Sequence, residues 1–157
     1  MSGPALMLLL TFTVAGDLYA IEGKLVEKVL PPVILRRIPG ADVAVAGILD
    51  FMGKALPVVD LAALYTGEPC VRKLSSRILI VKYMKSSASH LLGLLVSEAT
   101  DTINVDASSL QSPNVASSPQ MGLGSVLMHN GRWVQLVQPA NLFPESLDSA
   151  LFPESAV

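Results

Sequence analysis

The residues with the means to do chemistry are few and scattered. Cys70 follows Pro69 in a stretch without strand or helix pattern, and it reads as an ordinary free thiol, because a nucleophilic cysteine needs a neighbour that lowers its pKa. His90 sits among Ser87, Ser89 and Leu91, and His129 stands just before Asn130-Gly131. Both read as surface-loop histidines, since a general base also needs a partner that orients it. One cysteine and two isolated histidines make neither a disulfide nor a structural metal centre, so no metal or cofactor is expected. Gly122-Leu123-Gly124 lacks the Gly-Lys-Ser/Thr that would complete a phosphate loop. Asp50 and Asp60 are better placed as a turn residue and a helix cap than as an acid–base pair. The expectation is a protein that is not an enzyme.

The elements that carry these residues belong to a chain of 157 residues, 51% hydrophobic and 15% charged. That length suits one domain or two small ones, and the apolar half excludes disorder as the main state. Eleven Lys+Arg against 13 Asp+Glu give a net charge of −2, so no basic field exists to track nucleic-acid phosphates. The apolar run Ala5 to Leu10 is broken by Thr11 and Thr13 and stops at Gly16-Asp17, short of the ~20 residues of a membrane-spanning helix. No Lys or Arg occurs from Met1 to Leu10, whereas a secretory signal would require a basic n-region. A mature cytoplasmic chain with no direct membrane insertion is the simpler expectation.

Period-two alternation marks the strands. In Met7 to Val14, Leu10, Phe12 and Val14 alternate with Thr11 and Thr13, which places apolar groups on one face and hydroxyls on the other. Ala15-Gly16-Asp17 turns the chain into Leu18 to Ile21, and Leu25 to Leu30 ends at Pro31-Pro32. Ile48 to Phe51 and Ala55 to Val59 form a hairpin about Met52-Gly53-Lys54, with Pro57 implying an edge position or a bulge in the second arm. Asp60 caps a short helix from Leu61 to Tyr65 that Gly67 ends. Ile78 to Val81, Leu91 to Val96 and Thr100 to Val105 are further strands. Ser108 to Gln120 is a loop. Asn130-Gly131 is the strongest hairpin signal, joining Val126 to Met128 with Trp133 to Val137.

The two halves share a grammar. Gly47, the Gly53-Lys54 turn, Leu56, Val58 and Val59, then Ala62 and Leu64, correspond to Gly124, Gly131-Arg132, Val134, Leu136 and Val137, then Ala140 and Leu142. A weaker echo pairs Leu18 to Val29 with Leu91 to Ile103. Repeats of five short strands point to two similar small barrels rather than a solenoid. In the tail, Leu142-Phe143-Pro144-Glu145-Ser146 recurs as Leu151-Phe152-Pro153-Glu154-Ser155. It reads as a loosely held end, with a partner-docking peptide as the alternative.

The stretch from Arg37 to Leu61, with Pro39-Gly40, Gly47, the Gly53 turn and Pro57-Val58-Val59-Asp60-Leu61, resembles the signature of the CheW-like coupling proteins of bacterial chemotaxis and related signalling arrays. Tyr19-Ala20-Ile21 with Val26 and Val29, and Gly93-Leu94-Leu95-Val96 with Ile103, extend the resemblance to residues 7 to 143. It implies a mostly β fold of two SH3-like five-stranded β-barrel subdomains with short helices. The expected layout is one CheW-like domain over 1–157, with one barrel over about 7–66, the other over 76–143, a tail from 144 to 157, and room for strands to exchange between subdomains.

The function the resemblance implies is a noncatalytic adaptor. It would couple the regulatory domain of a CheA-like histidine kinase to the cytoplasmic helical tip of a methyl-accepting chemoreceptor, with self-association in arrays a further option. Carried over by position, the partner-contacting residues are Val26, Val29, Gly47, Leu49, Asp50, Met52 and Gly53. Val26, Val29 and Leu49 are equally explained as core, because the face of a strand residue depends on register. Three departures stand out. Asp50-Phe51-Met52-Gly53 replaces the family's Asn-Leu-Arg-Gly, removing an arginine. Ser97 replaces an Asp, and Gln138-Pro139 stands where Asp-Leu or Asn-Ile is common. The competing expectations are a small-ligand-binding barrel or an unrecognised hydrolase, which would place titratable groups in a deep pocket, and the regulatory domain of a larger signalling protein.

Overall fold

The computed structural model describes residues 6–85, 87–112, 122–143 and 151. Ten strands run in the order β1 (Leu6–Val14), β2 (Asp17–Glu22), β3 (Val26–Leu30), β4 (Val45–Phe51), β5 (Lys54–Asp60), β6 (Arg77–Lys85), β7 (Ala88–Val96), β8 (Glu98–Asp106), β9 (Leu123–His129) and β10 (Arg132–Val137), with a helix α1 (Leu61–Thr66) after β5. The fold is mostly β, with two five-stranded SH3-like subdomains.

Local chemistry accounts for the turns. Ala15-Gly16, Met52-Gly53 and Asn130-Gly131 each have both central φ angles positive, 51° and 87°, 54° and 83°, and 50° and 76°. This is the type I′ geometry whose twist matches that of the flanking strands. Asp60 caps α1, its side chain accepting from the Ala63 amide at 3.1 Å, and Gly67 ends the helix in the left-handed region at φ 82°.

The strands sort into two sheets, β8-β1-β2-β10-β9 and β3-β6-β7-β5-β4. Sheet membership crosses the sequence repeats. The first repeat (β1–β5) places β1 and β2 beside β8–β10, while the second (β6–β10) places β6 and β7 beside β3–β5. Each repeat thus gives two strands to one sheet and three to the other. The parallel contacts β2–β10 and β7–β5 mark the joins. Residues 26–96 form a central barrel, and the terminal barrel is assembled from both ends of the chain.

Each sheet closes on itself through one two-bond bridge. Arg36, beyond β3, exchanges backbone hydrogen bonds of 3.0 and 2.8 Å with Ile48 in β4, and Gln111, beyond β8, exchanges two of 2.8 Å with Val126 in β9. Ile48 and Val126 occupy the same position when the Met52-Gly53 and Asn130-Gly131 turns are aligned.

Three apolar clusters follow from strand alternation. Leu9, Ala20, Ile103, Val105, Leu127, Val134 and Leu136 fill the terminal barrel. Leu35, Leu49, Leu56, Val58, Ile78, Ile80 and Leu95 fill the central one. The opposite faces, through Phe12, Ile21, Val59, Leu79, Val81, Leu92 and Leu94, form a layer between the barrels. That layer also buries Leu142 and Phe143, with the Phe143 ring 5.6 Å from Tyr83. Burial on both sides holds the barrels together, because apolar area is removed from water twice along β6 and β7.

Several expectations need correction. His90 and His129 are not in loops. His90 lies within β7 opposite Tyr83, and His129 ends β9 opposite Arg132. On the hydroxyl face of β1, where the alternation left exposure open, Thr11 is buried and its Oγ1 accepts from the Asp101 amide at 3.1 Å beside a register shift against β8. Pro57 lies in an interior strand, tolerated because β5 pairs with β7 only from Val58 onward. The extra residue of that hairpin is in its first arm, between Val45 and Gly47. Most of the Ser108 to Gln120 loop and all of the tail except Leu151 lie outside the described residues.

Candidate partner-binding surface

The β4–β5 hairpin carries most of the residues singled out by the resemblance. At its tip Asp50 Oδ1 accepts from the Gly53 amide at 3.0 Å, which fixes the turn from within. Met52, in the left-handed region, is 89% exposed and projects an unbranched apolar side chain into solvent. Such a side chain adapts to an apolar partner surface at small cost and offers no charge for an ion pair.

Gly47 and Leu49 lie on the same strand but are buried. Leu49 belongs to the core of the central barrel at 7% exposure. Gly47 sits under the barrel seam, where a Cβ would lie 2.6 Å from the Arg36 carbonyl oxygen, at a φ of +150°. Its structural task is to let the two edges meet. Val26 and Val29 lie on β3, the other edge of this sheet, which the Arg36–Ile48 bridge returns to β4. Val29 is exposed, whereas Val26 packs partly into the layer between the barrels. The bridge brings the segment after β3 against β4; Met52, Gly53, Asp50 and Val29 are exposed, and Leu49 is buried beneath the hairpin.

A second apolar feature escaped the sequence reading. Met128 and Trp133 are directly opposed on β9 and β10 and remain 48% and 55% exposed. Alternation was the available signal: Val134 and Leu136 face inward, so Trp133 must face outward. This hairpin is the counterpart of β4–β5 in the other barrel.

Cys70 lines an open groove of about 520 Å³ with Thr13, Thr66, Glu68, Ser97 and Glu98. Burial pushes its pKa up, outweighing the hydrogen bond from Ser97 and the nearby Arg72 and Lys73 cations, and Asp60 adds to the rise. A thiol held neutral is a poor nucleophile. Among the described residues no group of three or more His, Cys, Asp or Glu is placed to hold a metal ion.

Comparison with known proteins agrees with this architecture. The family model described as a CheW-like domain matches residues 8–146. A chemotaxis protein CheW of Rhizobium meliloti (strain 1021) is 32% identical over 111 residues, covering 68% of this chain and 67% of the relative. Another of Bacillus subtilis (strain 168) is 24% identical over 153 residues, covering 94% of each. The scaffolding protein TtCheW from Thermoanaerobacter tengcongensis shares the fold, with a TM-score of 0.79 at 23% identity over 92% of this chain and 96% of that one. The paired five-stranded subdomains, the Pro57 to Leu61 run leading into a capped helix, and a family match spanning every strand but the first residues of β1 have one reading: this chain belongs to the CheW-like domain family.

Proposed function

We propose that the protein is a noncatalytic scaffold of a chemotaxis-type signalling array, joining a chemoreceptor tip to the regulatory domain of a CheA-like histidine kinase. The observation that carries this reading is the exposed β4–β5 tip, with Met52 apolar and 89% exposed on a turn that Asp50 holds rigid. Rigid turns on a closed barrel lose little entropy on docking, which is how a small contact surface gains useful affinity. The ridge of an amphipathic receptor helix is a suitable partner for Met52 and Val29, with Leu49 and Gly47 setting the shape of the seam below. No helix among the described residues is long and apolar enough to cross a membrane, and a cytoplasmic position at membrane receptors, reached through partners, fits the proposal.

Copurification from the native cell tests it. A tagged chain should retain a histidine kinase with a CheW-like regulatory domain, or a chemoreceptor, and should lose part of it when Met52 is changed to a charged residue. Retention of neither class would remove the coupling role.

A further inference from the structure

We propose that Leu151 makes the C-terminal segment a tethered ligand of the central barrel, its side chain docking on an apolar groove beside the β4–β5 hairpin until a partner displaces it. On β5, Val59, Pro57 and Ala55 share one face by alternation. Val59 is buried in the layer between the barrels, but that face runs on past the layer to Pro57 and Ala55. There a groove of about 470 Å³ is lined by Ile38, Val45, Ile48, Ala55, Pro57 and Leu151. Leu151 also borders the adjoining groove at Lys54 and Leu91, and it is itself half-buried.

The first Leu-Phe-Pro-Glu-Ser copy shows what the motif does when held. Leu142 and Phe143 are buried in the layer between the barrels. Leu151 follows Phe143 by eight residues, a reach of at most about 29 Å, so the groove meets the tail at an effective concentration on the order of millimolar. Residues 144–157 carry Glu145, Asp148 and Glu154 and no Lys or Arg; Lys54 borders the adjoining groove, and Asp42 lines the first, so the apolar contact and the tether, not charge, select this occupant. One leucine is a light anchor, which suits a contact that is made in the free chain and broken on assembly.

The displacement step rests on the coupling role proposed above; the docking itself does not. The test uses the full chain with methyl-labelled Ile, Leu and Ala. Cross-peaks between the Leu151 methyls and those of Ile48 and Ala55 are expected, and Leu151→Asp should abolish them. A peptide of residues 147–157 should bind the Leu151→Asp chain at least tenfold more tightly than the parent, and Leu151→Ala should behave in the same direction if Asp disturbs folding. A peptide with Leu151→Asp should bind neither. Absence of the cross-peaks, or equal peptide binding by parent and variants, overturns the docking whatever the function is. If docking holds but Leu151→Asp leaves affinity for a chemoreceptor-tip fragment unchanged, displacement is overturned; a parent that binds neither that fragment nor a kinase regulatory domain instead counts against the coupling role.

Discussion

Tyr19 and Tyr65 meet across the junction of the barrels, their ring centroids 5.4 Å apart and their planes inclined by 32°. Tyr19 belongs to β2 of the terminal barrel, and Tyr65 to α1, which leaves the central barrel after β5. Phe143 makes the reciprocal contact, from the end of the terminal barrel onto Tyr83 of β6. Each barrel is thus pinned to the other by an aromatic ring from the segment that follows its β4–β5 or β9–β10 hairpin.

The tyrosine pair predicts alkaline destabilisation. Burial, and then the neighbouring Tyr19, pushes the Tyr65 hydroxyl far above its ordinary pKa; burial and then the Asp17 charge raise Tyr19. Above about pH 10 the unfolded chain loses these protons while the folded chain keeps them. The stabilising contribution is therefore complete below pH 10 and lost as pH rises through the folded values. The urea midpoint should fall between pH 10 and 12, and less steeply in Tyr65→Phe; an identical slope in that variant would refute the assignment.

Gly47 and Gly53 should differ sharply. A methyl at Gly53 meets nothing within 4 Å and suffers only the left-handed φ of 83°, a cost of about 1–2 kcal/mol. A methyl at Gly47 collides with the Arg36 carbonyl as well, for roughly 2–5 kcal/mol of overpacking and strain. Denaturation midpoints of Gly47→Ala and Gly53→Ala should rank in that order, and equal midpoints would remove the seam argument.

Asp60 serves two backbone donors at once, the Ala63 amide at 3.1 Å and the Cys70 amide at 2.8 Å. Asp60→Ala should cost about 2–3 kcal/mol, adding a lost cap to an unpaired amide. Asp60→Asn should recover part of it, since its single carbonyl oxygen can still accept. Calorimetry of both variants decides the point.

Met52→Arg should leave the fold unchanged, because the side chain is exposed and both residues bear the same left-handed backbone. Binding to the native partner should weaken by about tenfold as an unmatched charge is desolvated, while binding to a receptor tip that expects arginine should improve. Titration of both partners against a folded variant that shows neither change would take this turn out of the interface.

The sequence by itself determined what depends on near neighbours in the chain. The positions of the three hairpin turns, the Asp60 cap and the Gly67 stop were legible because each rests on φ preferences or hydrogen bonds within a few residues, and the five-strand repeat because its turns recur at matching spacing. The stretch from Arg37 to Leu61, with the Pro57 to Leu61 run after the Gly53 turn, carried the family resemblance. Tertiary structure decided the rest. The repeats are alike, so β1 and β2 have equally suitable partners within their own repeat and across it, and only long-range packing chose the exchange that joins them to β8–β10. Register decided that Leu49 is core while Val29 faces out, and that His90 lies in a strand. Gly47 has an ordinary place in the sequence, and its role exists only because Arg36, eleven residues earlier, returns to close the seam above it.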